Sequence, residues 1–257
     1  MSTPITLDEL VATAPLLTRT DRKYLLPTSQ LALVDAADPD LRILTIDGLT
    51  THAYASTYLD TADLAAYHLA ARARPSRFKI RRRTYCDSGL SFLEVKTRSA
   101  RGETVKDRLD LALATRGEHQ RFAPLTVRMR TGHELGALTP VLEVTYDRTT
   151  YYLPASGSRV TVDTRLTWAA LDATGAPTGD VLTLPGHAVV ETKTTGRPCE
   201  LDRLLWRAGH RPTRLSKYTC GLALTSDQPL THNRWHRIVR DLHELATPTP
   251  TLTPRSL

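Results

Sequence analysis

Between Arg77 and Arg108 ten basic side chains stand against four acidic ones, Asp87, Glu94, Glu103 and Asp107, so this stretch carries +6 of the chain's formal +7. The charges recur at every second position: Arg77, Lys79, Arg81 and Arg83, then Glu94, Lys96 and Arg98, then Lys106 and Arg108. That spacing puts them on one face of a strand. The positions between include Phe78 and Ile80, Leu93 and Val95, and Val105, Leu109 and Leu111. The same alternation sets Arg159, Asp163 and Arg165 against Val160, Val162 and Leu166, and Glu191 and Lys193 against Val190. It also aligns Arg19, Asp21 and Lys23. An acid-x-base step recurs at Asp21/Lys23, Glu94/Lys96 and Glu191/Lys193. A concentrated positive field attracts polyanions. Guanidinium and ammonium groups suit phosphate, and the interspersed carboxylates suit a hard divalent cation. An ordinary half-buried sheet also wets one polar face. Against that reading, these charges are long, basic and repeated on six strands, where a solvated face would mix in Ser, Thr, Gln and Glu.

The elements that must position these residues read mainly as strands. They are expected over Thr18–Leu26, Leu41–Ile46, Ala53–Leu59, Arg77–Cys86, Leu90–Arg98, Glu103–Leu111, Val141–Leu153, Arg159–Trp168 and His187–Thr195. Asp87-Ser88-Gly89, Ala100-Arg101-Gly102 and Ala155-Ser156-Gly157 supply hairpin turns. Helices are expected after the capping box Thr6-Leu7-Asp8-Glu9, over Gln30–Ala37, from a Thr61 cap to Ala73, and over Gly117–Met129, Leu201–Ala208 and Thr231–Ala246. The fold class is therefore α+β: one mainly antiparallel β sheet or barrel of about eight strands with peripheral helices, a single domain over residues 1–246. The Pro/Thr-rich stretch 247–257 is expected to lack fixed structure. If the sheet closes with its charged face inward, like charges crowd unless a polyanion neutralises them.

Composition removes other classes. With 40% apolar and 24% charged residues the chain is globular. No apolar run approaches the roughly 20 residues of a spanning helix, and the first residues carry no basic and apolar secretory pattern. Cys86, Cys199 and Cys220 are too few and too far apart for a disulfide framework or a Cys-rich zinc site, which fits a reducing cytoplasm. His232, His236 and His243 share one approximate helix face, without a clear carboxylate partner, and read as surface residues. No nucleic-acid motif is present, and few strand aromatics are expected beside the basic residues, so a base-stacking platform and sequence-specific nucleic-acid binding are not expected.

Taken in order, seven runs carry a resemblance. They are Arg19-Thr20-Asp21-Arg22-Lys23-Tyr24, Ile80-Arg81-Arg82-Arg83-Thr84-Tyr85, Phe92-Leu93-Glu94-Val95-Lys96, Glu103-Thr104-Val105-Lys106-Asp107-Arg108, Tyr146-Asp147-Arg148, Val190-Glu191-Thr192-Lys193 and Leu215-Ser216-Lys217-Tyr218. The ordered set, over roughly Thr18 to Gly221, resembles the polyphosphate polymerase domain of the vacuolar transporter chaperone family, among the triphosphate tunnel metalloenzymes. The resemblance implies a closed tunnel of eight antiparallel strands with its basic residues inward. It implies transfer of the terminal phosphate of ATP to a growing polyphosphate chain, with Mn²⁺ or Mg²⁺. It assigns phosphate binding and catalysis to Lys23, Arg81, Arg83, Lys96, Lys106, Arg148 and Lys217, with Arg19, Tyr146 and Ser216 as further substrate contacts. Lys79 joins them by sharing the face of Arg81 and Arg83. Glu191 matches the family's metal-binding glutamate, and Glu94, on the same charged face as Lys96, is the second candidate ligand.

The sequence also departs from its relatives. Many tunnel hydrolases open with Glu-x-Glu-x-Lys, where this chain has Arg19-x-Asp21-x-Lys23. Losing the first carboxylate removes a metal ligand that would activate water, a change a polymerase tolerates better than a hydrolase. The phosphate-sensing domain and membrane helices of the eukaryotic relatives are not expected here. Two other readings stay open: a hydrolase of inorganic or nucleoside triphosphate with the same fold, and a non-catalytic module that binds polyanions electrostatically.

Overall fold

A computed structural model describes residues 3–14, 20–98 and 104–249. These fall into two compact units, each drawn from three separated stretches. The first comprises Met1–Ala53, Tyr146–Leu166 and Leu184–Leu215; the second Tyr54–Thr145, Thr167–Thr183 and Ser216–Leu257. The strands are β1 (Thr3–Ile5), β2 (Thr20–Pro27), β3 (Arg42–Leu44), β4 (Thr51–Thr61), β5 (Phe78–Tyr85), β6 (Ser91–Arg98), β7 (Thr104–Asp110), β8 (Leu138–Leu153), β9 (Ser158–Ala170), β10 (Val181–Thr183), β11 (His187–Thr194) and β12 (Thr247–Thr249). The helices are α1 (Leu7–Thr13), α2 (Ala32–Asp35), α3 (Ala65–Ala71), α4 (Arg116–Thr131), α5 (Glu200–Arg207), α6 (Lys217–Thr225) and α7 (His236–Leu245).

The pairing order is β12-β10-β9-β8-β4-β5-β6-β7, with β11 and β2 branching from β9, and β3 and β1 from β8. The sheet is mainly antiparallel, with β1 and β3 a parallel pair. Among the described residues the order does not close into a ring, so the fold class is as expected while the closed eight-stranded barrel is not what the pairing gives.

In the first unit, β2, β11 and β9 lie side by side in the register Tyr24–Val190–Val162. Tyr24, Leu26, Val160, Val162, Ala188 and Val190 make one apolar face, packed with Val34 of α2 and Leu201 and Leu205 of α5. Full burial of one such aliphatic side chain contributes roughly 1.5–3 kcal/mol. On the α5 side of that face sits Asp202, fully buried. Its carboxylate accepts hydrogen bonds from Tyr24 Oη at 2.7 Å, Thr192 Oγ1 at 2.7 Å and the Cys199 amide at 2.9 Å, with Arg22 Nη1 at 3.4 Å. One carboxylate thereby ties α5 to β2 and β11, and because side chains alternate along a strand, Lys23 and Glu191 are left facing the other way.

In the second unit, α3 packs on β5 and α4 on β6. A capping box between Thr115 and Glu118 starts α4, and Gly132, in the left-handed region at φ +76°, ends it. Helix α6 seats its backbone against the indole of Trp168. A β-carbon added at Gly221 would lie 2.1 Å from Trp168 Cδ1 and 2.9 Å from Leu142 Cδ2. Trp168 Nε1 also donates to the Lys217 carbonyl at 3.0 Å.

Some expectations shift. Residues 231–246 form a 3₁₀ turn, Asn233–Trp235, followed by α7. Thr247–Thr249, expected without structure, pairs with β10 as β12. Pro248 is tolerated there because β12 stands at the end of the order, where an amide donor is not needed. The rest of the expected tail, 250–257, lies outside the described residues. Helix α6 was not expected. Two of the three cysteines are buried and Cys86 is exposed; all are free. Among the described residues no helix is long and apolar enough to cross a membrane.

Candidate phosphate-binding faces

On β5, β6 and β7 the alternation becomes three rungs. Lys79, Lys96 and Lys106 stand opposite one another, as do Arg81, Glu94 and Arg108, and Arg83, Phe92 and Asp110. Residues directly opposite have β-carbons roughly 4.5–5.5 Å apart, and like charges so placed repel. Glu94 is the internal counter-charge, 2% exposed. Arg81 donates to it from Nε and Nη2 at 2.8 and 2.6 Å, and Lys106 Nζ approaches its other oxygen at 3.1 Å. Burial alone would raise the Glu94 carboxyl, but Arg81, Arg83 and Lys106 outweigh it and hold its pKa at about 2. At the lysine end the surface dips into a cavity of about 190 Å³ lined by Arg77, Phe78, Lys79, Lys96, Thr97, Arg98 and Thr104. Among the described residues no carboxylate lines it.

The remaining predicted members of this unit stand close by. Ser216 caps α6 and accepts a hydrogen bond from Lys79 Nζ at 2.6 Å. Lys217 follows it as the first residue of α6. Tyr218 fixes this helix end. It stacks on Tyr58 at 5.0 Å between ring centroids and donates its hydroxyl to the buried carboxylate of Asp60.

The aromatic expectation needs correction. Register sets Tyr54 opposite Tyr85, and Tyr58 opposite Arg81. Together with Phe92 these rings share the cationic face. Arg83 lies over the Tyr54 ring at 5.4 Å and Arg108 over Phe92 at 4.8 Å. Tyr85 and Phe92 share that face by alternation within β5 and β6 and were legible there, whereas Tyr54 and Tyr58 were not, because the register of β4 is not written in its own sequence.

The first unit holds a second charged face. Across β2, β11 and β9, Lys23 stands opposite Glu191 and Glu191 opposite Thr161; Asp21 stands opposite Lys193 and Lys193 opposite Arg159. Lys23 Nζ donates to the Leu215 carbonyl at 3.2 Å, and Lys193 Nζ lies 3.5 Å from Glu191. On β8, Arg148 grips Asp163 with two parallel bonds, at 2.6 and 2.8 Å, and lies 5.2 Å from the Tyr146 ring centroid. Burial opposes the Arg148 charge, yet Asp163 and other neighbouring anions hold its pKa well above the usual value. For Lys193, burial prevails over the attraction of Glu191, and its pKa is lowered. Lys193 and Arg108 were not among the predicted site residues, although both lie in the quoted motifs. Arg19 lies outside the described residues.

Among the described residues no three His, Cys, Asp or Glu side chains converge as metal ligands. A cation held by Glu191 and mostly by phosphate oxygens fits this donor set, as Mg²⁺ is commonly held; an all-protein cage does not. Glu94 would join only by releasing Lys106 or Arg81.

No curated protein matches the sequence. Among solved structures, an adenylyl cyclase-like protein from Hippeastrum, described as having a dominant triphosphatase activity, is 16% identical, with 84% of this chain and 100% of that one covered and a TM-score of 0.47. An adenylate cyclase-like protein from Bacillus halodurans is 10% identical, with 92% and 94% covered and a TM-score of 0.42. A Pyrococcus horikoshii protein is 13% identical, with 77% and 95% covered and a TM-score of 0.40. At these scores the likenesses decide nothing about activity. The VTC domain matches residues 18–226. That span takes in all seven motif runs and both charged faces, and the chain belongs to the VTC domain family.

Proposed function

We propose that this protein is a polyphosphate polymerase that moves the terminal phosphate of ATP onto a growing polyphosphate chain, with Mn²⁺ or Mg²⁺. The observation that carries the reading is the rung Lys79–Lys96–Lys106, three lysines opposite one another on adjacent strands beside an arginine rung. Like charges on one rung repel, and linear phosphates laid along it would offset that repulsion. Phosphoryl transfer asks a protein mainly for positioning and charge neutralisation. Arg81, Arg83, Lys96, Lys106 and Lys217 would serve it in one unit, Lys23 and Arg148 in the other, with Arg19, Lys79, Tyr146 and Ser216 as further substrate contacts. Glu191 would hold the divalent cation, which when bound offsets charge on the phosphates; Glu94 is the second candidate. The attacking oxygen belongs to the acceptor phosphate, so no side-chain nucleophile is needed. The closed tunnel and a cytoplasmic location are part of this proposal; three free cysteines suit a reducing compartment.

Purified protein incubated with ATP and Mn²⁺ should yield ADP and a polyphosphate ladder on a gel. Orthophosphate without chain growth would favour the triphosphate hydrolase. Tight triphosphate binding with no ADP release in either metal would leave a binding module.

A further inference from the structure

The β4–β7 face changes character along its length. One end has the lysine rung, the next rung is Arg81–Glu94–Arg108, and the next is Arg83–Phe92–Asp110, flanked by the Tyr54–Tyr85 pair. Successive rungs on the same face are two residues apart, about 7 Å. From the lysine rung it is therefore about 14 Å to Phe92 and about 20 Å to the Tyr54–Tyr85 pair, on the scale of an extended nucleoside triphosphate laid out from terminal phosphate to base. At the far end Tyr85 lies between two rings, 5.0 Å from Tyr54 and 5.9 Å from Phe92 by centroids. All three rings are only partly buried. The guanidinium groups of Arg83 and Arg108 lie over two of them, Tyr54 and Phe92. A binding site for inorganic phosphate chains alone has no use for three partly open rings at one end; a flat, uncharged, π-faced group does.

We propose that Tyr54, Tyr85 and Phe92, with the arginines stacked on them, form a nucleobase subsite that makes the donor a nucleoside triphosphate and fixes its direction, base at the aromatic end and terminal phosphate at the lysine rung. This rests on the reading of the face as a triphosphate site. Stacking recognises the π-face that every base has, so the subsite separates nucleotides from inorganic phosphate chains and discriminates little among bases.

Binding of ATP and of inorganic tripolyphosphate to the wild type, Tyr85→Ala, Phe92→Ala and Tyr85→Phe tests it without requiring turnover. Each alanine variant should lose about tenfold in ATP affinity, within the range for one stacked base, with tripolyphosphate affinity changed less than about twofold, and Tyr85→Phe should retain ATP. A wild-type readout guards against misfolded variants: 2-aminopurine riboside triphosphate should lose most of its fluorescence on binding. Equal losses for both ligands would mean that the rings only shelve the arginines. Unchanged ATP affinity, or a bound analogue of full brightness, would equally overturn the subsite. If the wild type binds ATP with a stacked base yet releases no ADP, the polymerase falls and the subsite stands. If it binds neither ligand, both fall.

Discussion

Arg81 gives both Nε and Nη2 to a single oxygen of Glu94, leaving the other oxygen to Lys106. One carboxylate thus braces two of the cations proposed to hold phosphate, and it does so from a buried position on the central strand of the three.

This brace should make stability depend on acid. The Glu94 pKa is depressed from 4.5 to about 2 in the folded chain. As pH falls the unfolded chain takes up the proton first, so the contribution is present above about 4.5 and lost between there and about 2. Its size is on the order of 3 kcal/mol. Urea unfolding of the wild type and Glu94→Gln should show a gap at pH 6 that shrinks steeply below pH 4.5. A gap independent of pH would remove Glu94 as the group responsible.

Polyanions should stabilise the protein by linkage, since they favour the folded state that gathers the lysines. Tripolyphosphate at 100 times its dissociation constant should add about 2.7 kcal/mol, seen as a raised Tm. Chloride at matched ionic strength should give a much smaller shift. Equal shifts would reduce the effect to screening.

Glu191→Gln should keep the fold, because Glu191 lies on the face of β11 away from the packed core that holds Val190. Its proposed role predicts loss of divalent-dependent turnover, since a neutral amide is a poor ligand for a hard cation. Circular dichroism and a Mn²⁺ titration of ADP release check both halves. Undiminished activity across the titration would take Glu191 out of the site.

Arg81→Ala should lower turnover more than triphosphate affinity, because charge neutralisation matters most as the phosphate bonds reorganise. A hundredfold fall in kcat with a tenfold fall in affinity, about 2.7 against 1.4 kcal/mol, is the expected pattern. Lys217→Ala should follow it more weakly. Parallel losses in both quantities would mark Arg81 as a simple binding residue.

Much of each charged face was legible because β5, β6, β7 and β11 alternate, with Arg82 and Asp107 as the breaks, and alternation is a property of one strand at a time. What it cannot supply is register. The alignment of Lys79, Lys96 and Lys106 into one rung, and of Tyr54 beside Tyr85, depends on how neighbouring strands slide. Arg148 shows a second limit. Its motif marks it as a phosphate ligand, whereas here its fork closes on Asp163, a partner fifteen residues away on another strand. Helix α6 was missed for a local reason: Gly221 sits in its interior, and glycine there disfavours a helix by roughly 1 kcal/mol relative to alanine. The cost is accepted because the helix backbone must touch the Trp168 ring.

That contact has a mechanical meaning. With Gly221 set against the indole and Trp168 Nε1 bonded to the Lys217 carbonyl, α6 is held both along its length and at its first turn. Ser216 and Lys217 therefore form a stiff jaw, unable to rock by a side-chain flip alone. In the proposed polymerase, each round of gripping and releasing phosphate would fall to the exposed side chains of the rungs, such as Lys96 and Arg108, whose rearrangement takes picoseconds to nanoseconds. A chain of phosphates could then be passed along by many small exchanges of partners, with the helix as the fixed rail.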